Sequence, residues 1–163
     1  MPLFNTSSVT NMGEMFGNCS SLTSVPLFDT SSATQLGSMF NGCTNLITVP
    51  RFDTSSAMYT IGMFNKCSSL TSVPLFDTRS VVDMEAMFYQ CSSLTSVPLF
   101  DTSSATDMTA MFYECTAVES GALALYQQAS TQANPPSDYV ECFKNCGRNT
   151  ASGSAELAQI PAS

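Results

Sequence analysis

Pro98-Leu99-Phe100-Asp101-Thr102-Ser103-Ser104-Ala105-Thr106-Asp107-Met108-Thr109-Ala110-Met111-Phe112-Tyr113-Glu114-Cys115 is the fifth appearance of one unit. Pro2, Pro26, Pro50, Pro74 and Pro98 open the copies, each 24 residues after the last, with no insertion or deletion. The unit is completed by Cys-Ser-Ser-Leu-Thr-Ser-Val before the next proline, as in Cys67 to Val73. A fixed period of this size is the signature of a solenoid. Each unit buries its apolar face only against its neighbours, so the copies must stack.

Two periodicities lie inside the unit. Met108, Met111, Phe112 and Cys115 fall at i, i+3, i+4 and i+7, as do Met12, Met15, Phe16 and Cys19, and this spacing predicts a short helix. Ser104 with Asp107 three residues on fits a capping box at its start. Leu22-Thr-Ser-Val25-Pro-Leu27 follows the Leu-x-x-Leu-x-Leu pattern of a leucine-rich-repeat strand. The proline removes one ladder hydrogen bond per copy, so strands of only a few residues are expected. The predicted fold is an α/β, right-handed, leucine-rich-repeat-like solenoid, with short parallel strands on one face and short helices on the other.

Comparing the copies shows which columns the core dictates. Phe4, Phe28, Phe52, Phe76 and Phe100 never vary, whereas the preceding column, Leu3, Leu27, Arg51, Leu75 and Leu99, admits a charge. Phe is therefore placed inward and Leu outward, with a kink after the proline.

The tail keeps the grammar in distorted form. Tyr139, Cys142, Phe143 and Cys146 repeat the spacing of Met108 to Cys115, and Leu157-Ala-Gln-Ile160-Pro161 repeats Leu94 to Pro98. A single solenoid domain over 1–163 is expected. It comprises five regular repeats over 2–121, an inserted helix at about 122–136 and a degenerate sixth repeat at about 137–161, itself interrupted at about 147–154. Ala122, Leu125, Tyr126, Ala129 and Ala133 form one face of the inserted helix, which ends at Asn134-Pro135-Pro136. The break points at Pro2 and Pro161 suggest a segment of a longer array, with open ends able to stack on one another.

Composition narrows the function. With 13 acidic against 5 basic residues the net charge is −8, and the basic residues are scattered, which argues against nucleic acid and anionic membranes. No apolar run approaches the roughly 18–20 residues needed to span a bilayer, so no membrane insertion is expected. The chain has no His, which removes imidazole-based triads and metal sites; no catalytic group, cofactor or metal is expected.

Asp-Thr-Ser-Ser-x-Thr-x-Met-x-x-Met-Phe and Cys-Ser-Ser-Leu-Thr-Ser resemble the BspA-like, leucine-rich-repeat-related surface proteins of bacteria and mycoplasmas. The resemblance is strong over 2–118 and weak over 137–161. That group's usual unit is slightly longer and lacks the strand proline. The resemblance implies a secreted or cell-surface setting and a role in adhesion.

Each candidate column has a functional reading and a plainer one. Cys19, Cys43, Cys67, Cys91 and Cys115 form one column, read as small core hydrophobes rather than disulfide or metal partners. Asp29, Asp53, Asp77 and Asp101 resemble a calcium ladder, but Asx-turns capped by the following amides suffice, and Asn5 serves equally well. The Thr-Ser-Ser turns are read as solvated corners, with glycan attachment or an ordered hydroxyl surface as rivals. In the third copy, Thr60 occupies an apolar column while Met58, Tyr59 and Ile61 replace polar or small residues, with Arg51 nearby. This is either a contact site or a register shift that buries Ile61. The stripe of Leu27, Leu75 and Leu99 is the second candidate contact surface. The expected activity is non-catalytic recognition of a protein or glycan ligand; the alternative is a spacer segment with no dedicated ligand.

Overall fold

The computed structural model describes residues 4–137, 139 and 141–161, so Pro2 and Leu3 lie outside the described residues. The 24-residue units stack as coils. Isolated parallel bridges link Asn11 to Gln35, Gln35 to Tyr59, Tyr59 to Asp83, Asp83 to Asp107, and Asp107 to Ser137. A second bridge column holds Ser96 and Ser120. No helix among the described residues is long and apolar enough to cross a membrane.

The expected helices are absent from the five regular coils, and this is the main correction. Leu36–Met39 and Phe40–Cys43 are instead two consecutive turns, closed by bonds from the Met39 amide to Leu36 O (3.3 Å) and from the Cys43 amide to Phe40 O (3.0 Å). The third residue of each, Ser38 at φ 55° and Gly42 at φ 73°, is left-handed, which is the type II signature. The same positions are left-handed in every regular coil, for instance Glu14 and Asn18, Gly62 and Lys66, and Ala110 and Glu114. The first and last residues of successive four-residue turns fall at i, i+3, i+4 and i+7, the spacing that predicted a helix. Leu36, Met39, Phe40 and Cys43 are all buried by it. Asp107 makes an Asx-turn, accepting from the Thr109 amide at 2.8 Å, where a capping box was expected.

The turns leave every second amide free to point along the stack. The amides of Leu36, Ser38, Phe40 and Gly42 donate to the carbonyls of Tyr59, Ile61, Met63 and Asn65 at 2.8–3.0 Å. The backbone polarity that a helix would satisfy internally is therefore satisfied between coils. The expected strands shrink to a thin return ladder, in which the amides of Ile47, Thr71, Thr95 and Glu119 each donate to the residue 24 positions earlier.

Three side-chain ladders run through the stack. Phe16, Phe40, Phe64, Phe88, Phe112 and Phe143 stack with centroids 5.1–5.9 Å apart and planes within 10° of parallel. The Phe of Pro-Leu-Phe forms a second file, with Phe52, Phe76 and Phe100 buried. Phe52 and Phe100 donate their amides to Pro50 O and Pro98 O (3.0 and 2.9 Å), closing three-residue γ-turns with Arg51 and Leu99 at the apex. That kink sends Leu outward and Phe inward.

The third ladder corrects the expectation of solvated corners for the threonines, while the serines that follow them stay at the surface. Thr6, Thr30, Thr54, Thr78 and Thr102 are buried, and the first four donate their hydroxyls to Asp29 O, Asp53 O, Asp77 O and Asp101 O at 2.6–2.8 Å. Valine at position 78 would fill the same space but leave Asp101 O without its donor. Thr78→Val is therefore expected to lower stability by about 1–3 kcal/mol. Thr95→Val, at an exposed hydroxyl bonded to Thr71 O, should change it by less than about 0.5 kcal/mol. Urea unfolding of the two variants checks the contrast.

After the fifth coil the path of the chain becomes irregular. Helix α1 spans Ala122–Ser130 and buries Ala122, Leu125 and Ala129. It stops short of the expected 136, leaving Ala133 exposed, while Tyr126 packs beside Tyr139. Gln128 and Gln132 from this segment donate to Thr102 Oγ1, ending the threonine ladder. Cys142 O and Lys144 O accept from the amides of Phe112 and Glu114 at 2.8 and 2.9 Å, so 142–146 occupy the place of a sixth pair of turns. Beyond it the chain departs from the expected pattern. Helix α2 covers Ala151–Leu157, capped by Thr150, so Leu157 ends a helix where a strand was expected. The Glu156 carboxylate accepts from the amides of Gly121 and Leu123 at 3.3 and 3.2 Å, placing negative charge at the start of α1. Gly121, at φ 97°, lies so close to Val97 O that an added Cβ would overlap it.

Candidate functional site

The position after the repeat proline forms an outward column, with Arg51 and Leu99 at γ-turn apices. Leu27, Leu75 and Leu99 are 61%, 52% and 53% exposed, and Arg51, in the same column, is also exposed. Arg51, Leu75 and Leu99 line one cleft of about 390 Å³ with Phe76, Asp77 and Arg79. Leu99 and Asp101 continue into a second cleft of about 470 Å³, bordered by Gln128 and Gln132. The structure thus joins three of the residues singled out from sequence into one groove along the stack.

The third-coil residues lie elsewhere. Met58, Tyr59 and Ile61 line neither cleft. Thr60 is buried and donates its hydroxyl to Asp83 O at 3.2 Å, whereas Met58 and Ile61 are exposed. The coil therefore keeps its register. Tyr59, half-buried, sits in the bridge column between Gln35 and Asp83.

The acidic column is occupied with its own turns. Asp29 and Asp53 each accept from the amide (3.0 Å) and hydroxyl (2.6 Å) of the serine two residues on, and Asn5 does the same with Ser7. Asp101 accepts from the Ser103 amide at 2.9 Å, and Asp77 takes the Arg79 guanidinium at 2.9 Å. Hydrogen bonds from Ser31, Ser55, Arg79 and Ser103 hold these four carboxyls below their ordinary range. Among the described residues no group of three or more Cys, Asp or Glu side chains could hold a metal ion.

Six of the seven cysteines sit in the core, and Cys19 departs from the expected core column. Cys43, Cys67, Cys91 and Cys115 donate their thiols to Phe16 O, Phe40 O, Phe64 O and Phe88 O at 3.0–3.1 Å, one coil back. Burial pushes Cys67 and Cys146 up to about 12, and Cys91, Cys115 and Cys142 well above the usual thiol range. Cys19, in the first coil, is exposed. A native-state titration with an aromatic disulfide reagent is expected to consume one thiol rapidly, and the other six only on unfolding. Rapid reaction of several thiols would show that the coils do not cover them.

A stack of coils joined by amide and side-chain ladders, with its variable residues at turn apices, defines a repeat solenoid. The chain belongs to the family described as Mycoplasma protein of unknown function, DUF285, which matches residues 1–125. No curated protein matches it. Among solved structures it is similar to a leucine-rich repeat protein from Eubacterium ventriosum, with 22% identity over 60% of this chain and 25% of that one and a TM-score of 0.45. It is also similar to the T. pallidum leucine-rich repeat protein, with 18% identity over 92% of this chain and 75% of that one and a TM-score of 0.44. A third likeness is to a leucine-rich repeat protein from Bacteroides ovatus, with 16% identity over 66% and 33% and a TM-score of 0.41. The chain thus spans a quarter of the first of these proteins and a third of the last. Family membership rests on residues 1–125 and not on these likenesses.

Proposed function

We propose that this chain is a non-catalytic recognition module of a secreted or cell-surface protein, and that it binds a protein segment along the column Leu27, Arg51, Leu75 and Leu99. The observation that carries the reading is the exposure of three leucines in register at the position after the repeat proline, where the core makes no use of them. Arg51 has no ion-pair partner among the described residues. It therefore offers a charge to a partner whose apolar side chains lie over the leucines.

The test is saturable binding of the intact chain to a panel of purified extracellular proteins, repeated with Leu75→Ser/Leu99→Ser and with Arg51→Glu. Loss of at least tenfold in affinity with either variant supports this face as the contact. Unchanged binding of both variants overturns it. No saturable binding to any member of the panel favours the spacer reading.

A further inference from the structure

A second groove, remote in column from the leucine face, has a different chemistry. It measures about 360 Å³ and runs across several coils, with Lys66, Ser68, Gln90, Ser92, Glu114 and Arg148 among its lining. Of the chain's five basic residues, Arg79 and Lys144 are ion-paired, to Asp77 and Glu141. Lys66 and Arg148 have no such partner among the described residues, and both are exposed on this one groove. In a chain of net charge −8, two free cations gathered from the third coil and from the irregular tail are not explained by the repeat.

The floor between them is made of acceptors. The Ser68 and Ser92 hydroxyls lie 3.3 and 3.4 Å from Thr44 O and Ser68 O, and each oxygen keeps capacity to accept a hydrogen bond from a ligand. The Glu114 carboxylate accepts from Gln90 Nε2 at 3.0 Å through one oxygen and keeps acceptor capacity on the other. Lys66, Gln90 and Glu114 all occupy the third position of the second turn, with φ 57–60°, so the backbone launches them in one row.

We infer that this groove binds an acidic oligosaccharide, its hydroxyls donating to Ser68, Ser92 and Glu114 and its carboxylates meeting Lys66 and Arg148. Neither half of the ligand suffices alone. A polyphosphate or nucleic acid would bring charge on every unit, against only two cations with Glu114 between them. A neutral sugar would leave both cations unused. The inference stands apart from the leucine face, and its failure would leave that reading intact.

Calorimetric titration of the intact chain with tri-galacturonic acid, with 3′-sialyllactose and with the neutral galactotriose and lactose tests it. At least one acidic sugar should bind, at least tenfold more tightly than its neutral counterpart, and should weaken as salt rises. Lys66→Gln/Arg148→Gln should cost a further tenfold or more, while Arg51→Gln changes nothing. Both substitutions are at exposed side chains, so thermal unfolding should match that of the parent. Three results would each overturn the inference: no binding of either acidic sugar at millimolar concentration, equal binding of the neutral sugars, or an unaffected double variant. Equal binding of single-stranded DNA would overturn it too, since that would mark indiscriminate attraction of anions.

Discussion

Phe88→Ala is expected to lower the stability of the chain by about 3–5 kcal/mol, the range for removing a buried phenylalanine without collapse of the space around it. The ring is fully buried and lies between Phe64 (5.3 Å) and Phe112 (5.1 Å) in its own file, with Phe100 of the second file at 5.9 Å. Three stacked contacts, each worth about 0.5–1.5 kcal/mol beyond area burial, vanish together. The neighbours cannot close the gap, because the amide ladder fixes the spacing of the coils. Phe16→Ala, at the partly covered first coil, should cost clearly less. Equilibrium unfolding in urea measures both, and equal, small losses would mean that the files do not carry the stack.

Alkaline pH should unfold the chain, and the cysteine column supplies the reason. The buried thiols have folded-state values raised above the unfolded value of about 8.5. A raised folded value means that the stabilisation is complete below the unfolded value and is lost as pH rises through the window from about 8.5 to about 12. Within that window each buried thiol costs about 1.4 kcal/mol per pH unit, because only the unfolded chain can release its proton. Five thiols, those of Cys67, Cys91, Cys115, Cys142 and Cys146, acting over about one and a half units amount to about 10 kcal/mol, comparable to the whole stability of a domain. Loss of near-UV circular dichroism is therefore expected by about pH 10. Cys19→Ser, at the exposed thiol, should not move that midpoint. A native signal persisting to about pH 11 would show that the thiols ionise within the folded stack.

The sequence revealed the stack but not the path of the chain within a coil. A fixed 24-residue period, an unvarying Phe column and one arginine in the Leu column were enough to order the coils and to turn Phe inward. The helical spacing misleads because two consecutive type II turns bury the same i, i+3, i+4 and i+7 positions as a helix does. Glycine would have marked the left-handed residues, but Glu14, Ser38, Lys66, Ala86 and Glu114 stand at most of them. The interior threonine ladder left a visible signal, since Thr6, Thr30, Thr54, Thr78 and Thr102 never vary while the following serine gives way to Arg79. A column that tolerates no exchange beside one that admits arginine points inward, as it did for Phe. The tail diverged because α2 is held by long-range contacts, Thr150 to Val118 O and Glu156 to the start of α1, that leave no local pattern.

The two surfaces differ in legibility for the same reason. Leu27, Arg51, Leu75 and Leu99 belong to one column, so the period alone aligns them. Lys66 and Arg148 come from a regular coil and from the irregular tail, and only the folded stack brings them to one groove. Met58 and Ile61 stand out in sequence yet line none of the three grooves described.

Amide hydrogen exchange in the third coil tests the coil architecture most directly, because a helix and a pair of turns satisfy different amides. Thr60, Gly62, Phe64 and Lys66 donate to Asp83 O, Glu85 O, Met87 O and Tyr89 O of the next coil at 2.7–3.0 Å, whereas the Ile61 amide has no acceptor among the described residues. The stack predicts slow exchange at all four of these positions and fast exchange at Ile61. A helix starting at Thr60 would leave Thr60 and Gly62 unprotected in its first turn. Fast exchange at Thr60 and Gly62 would contradict the coil path from which every outward-facing column, and both proposed binding surfaces, take their positions.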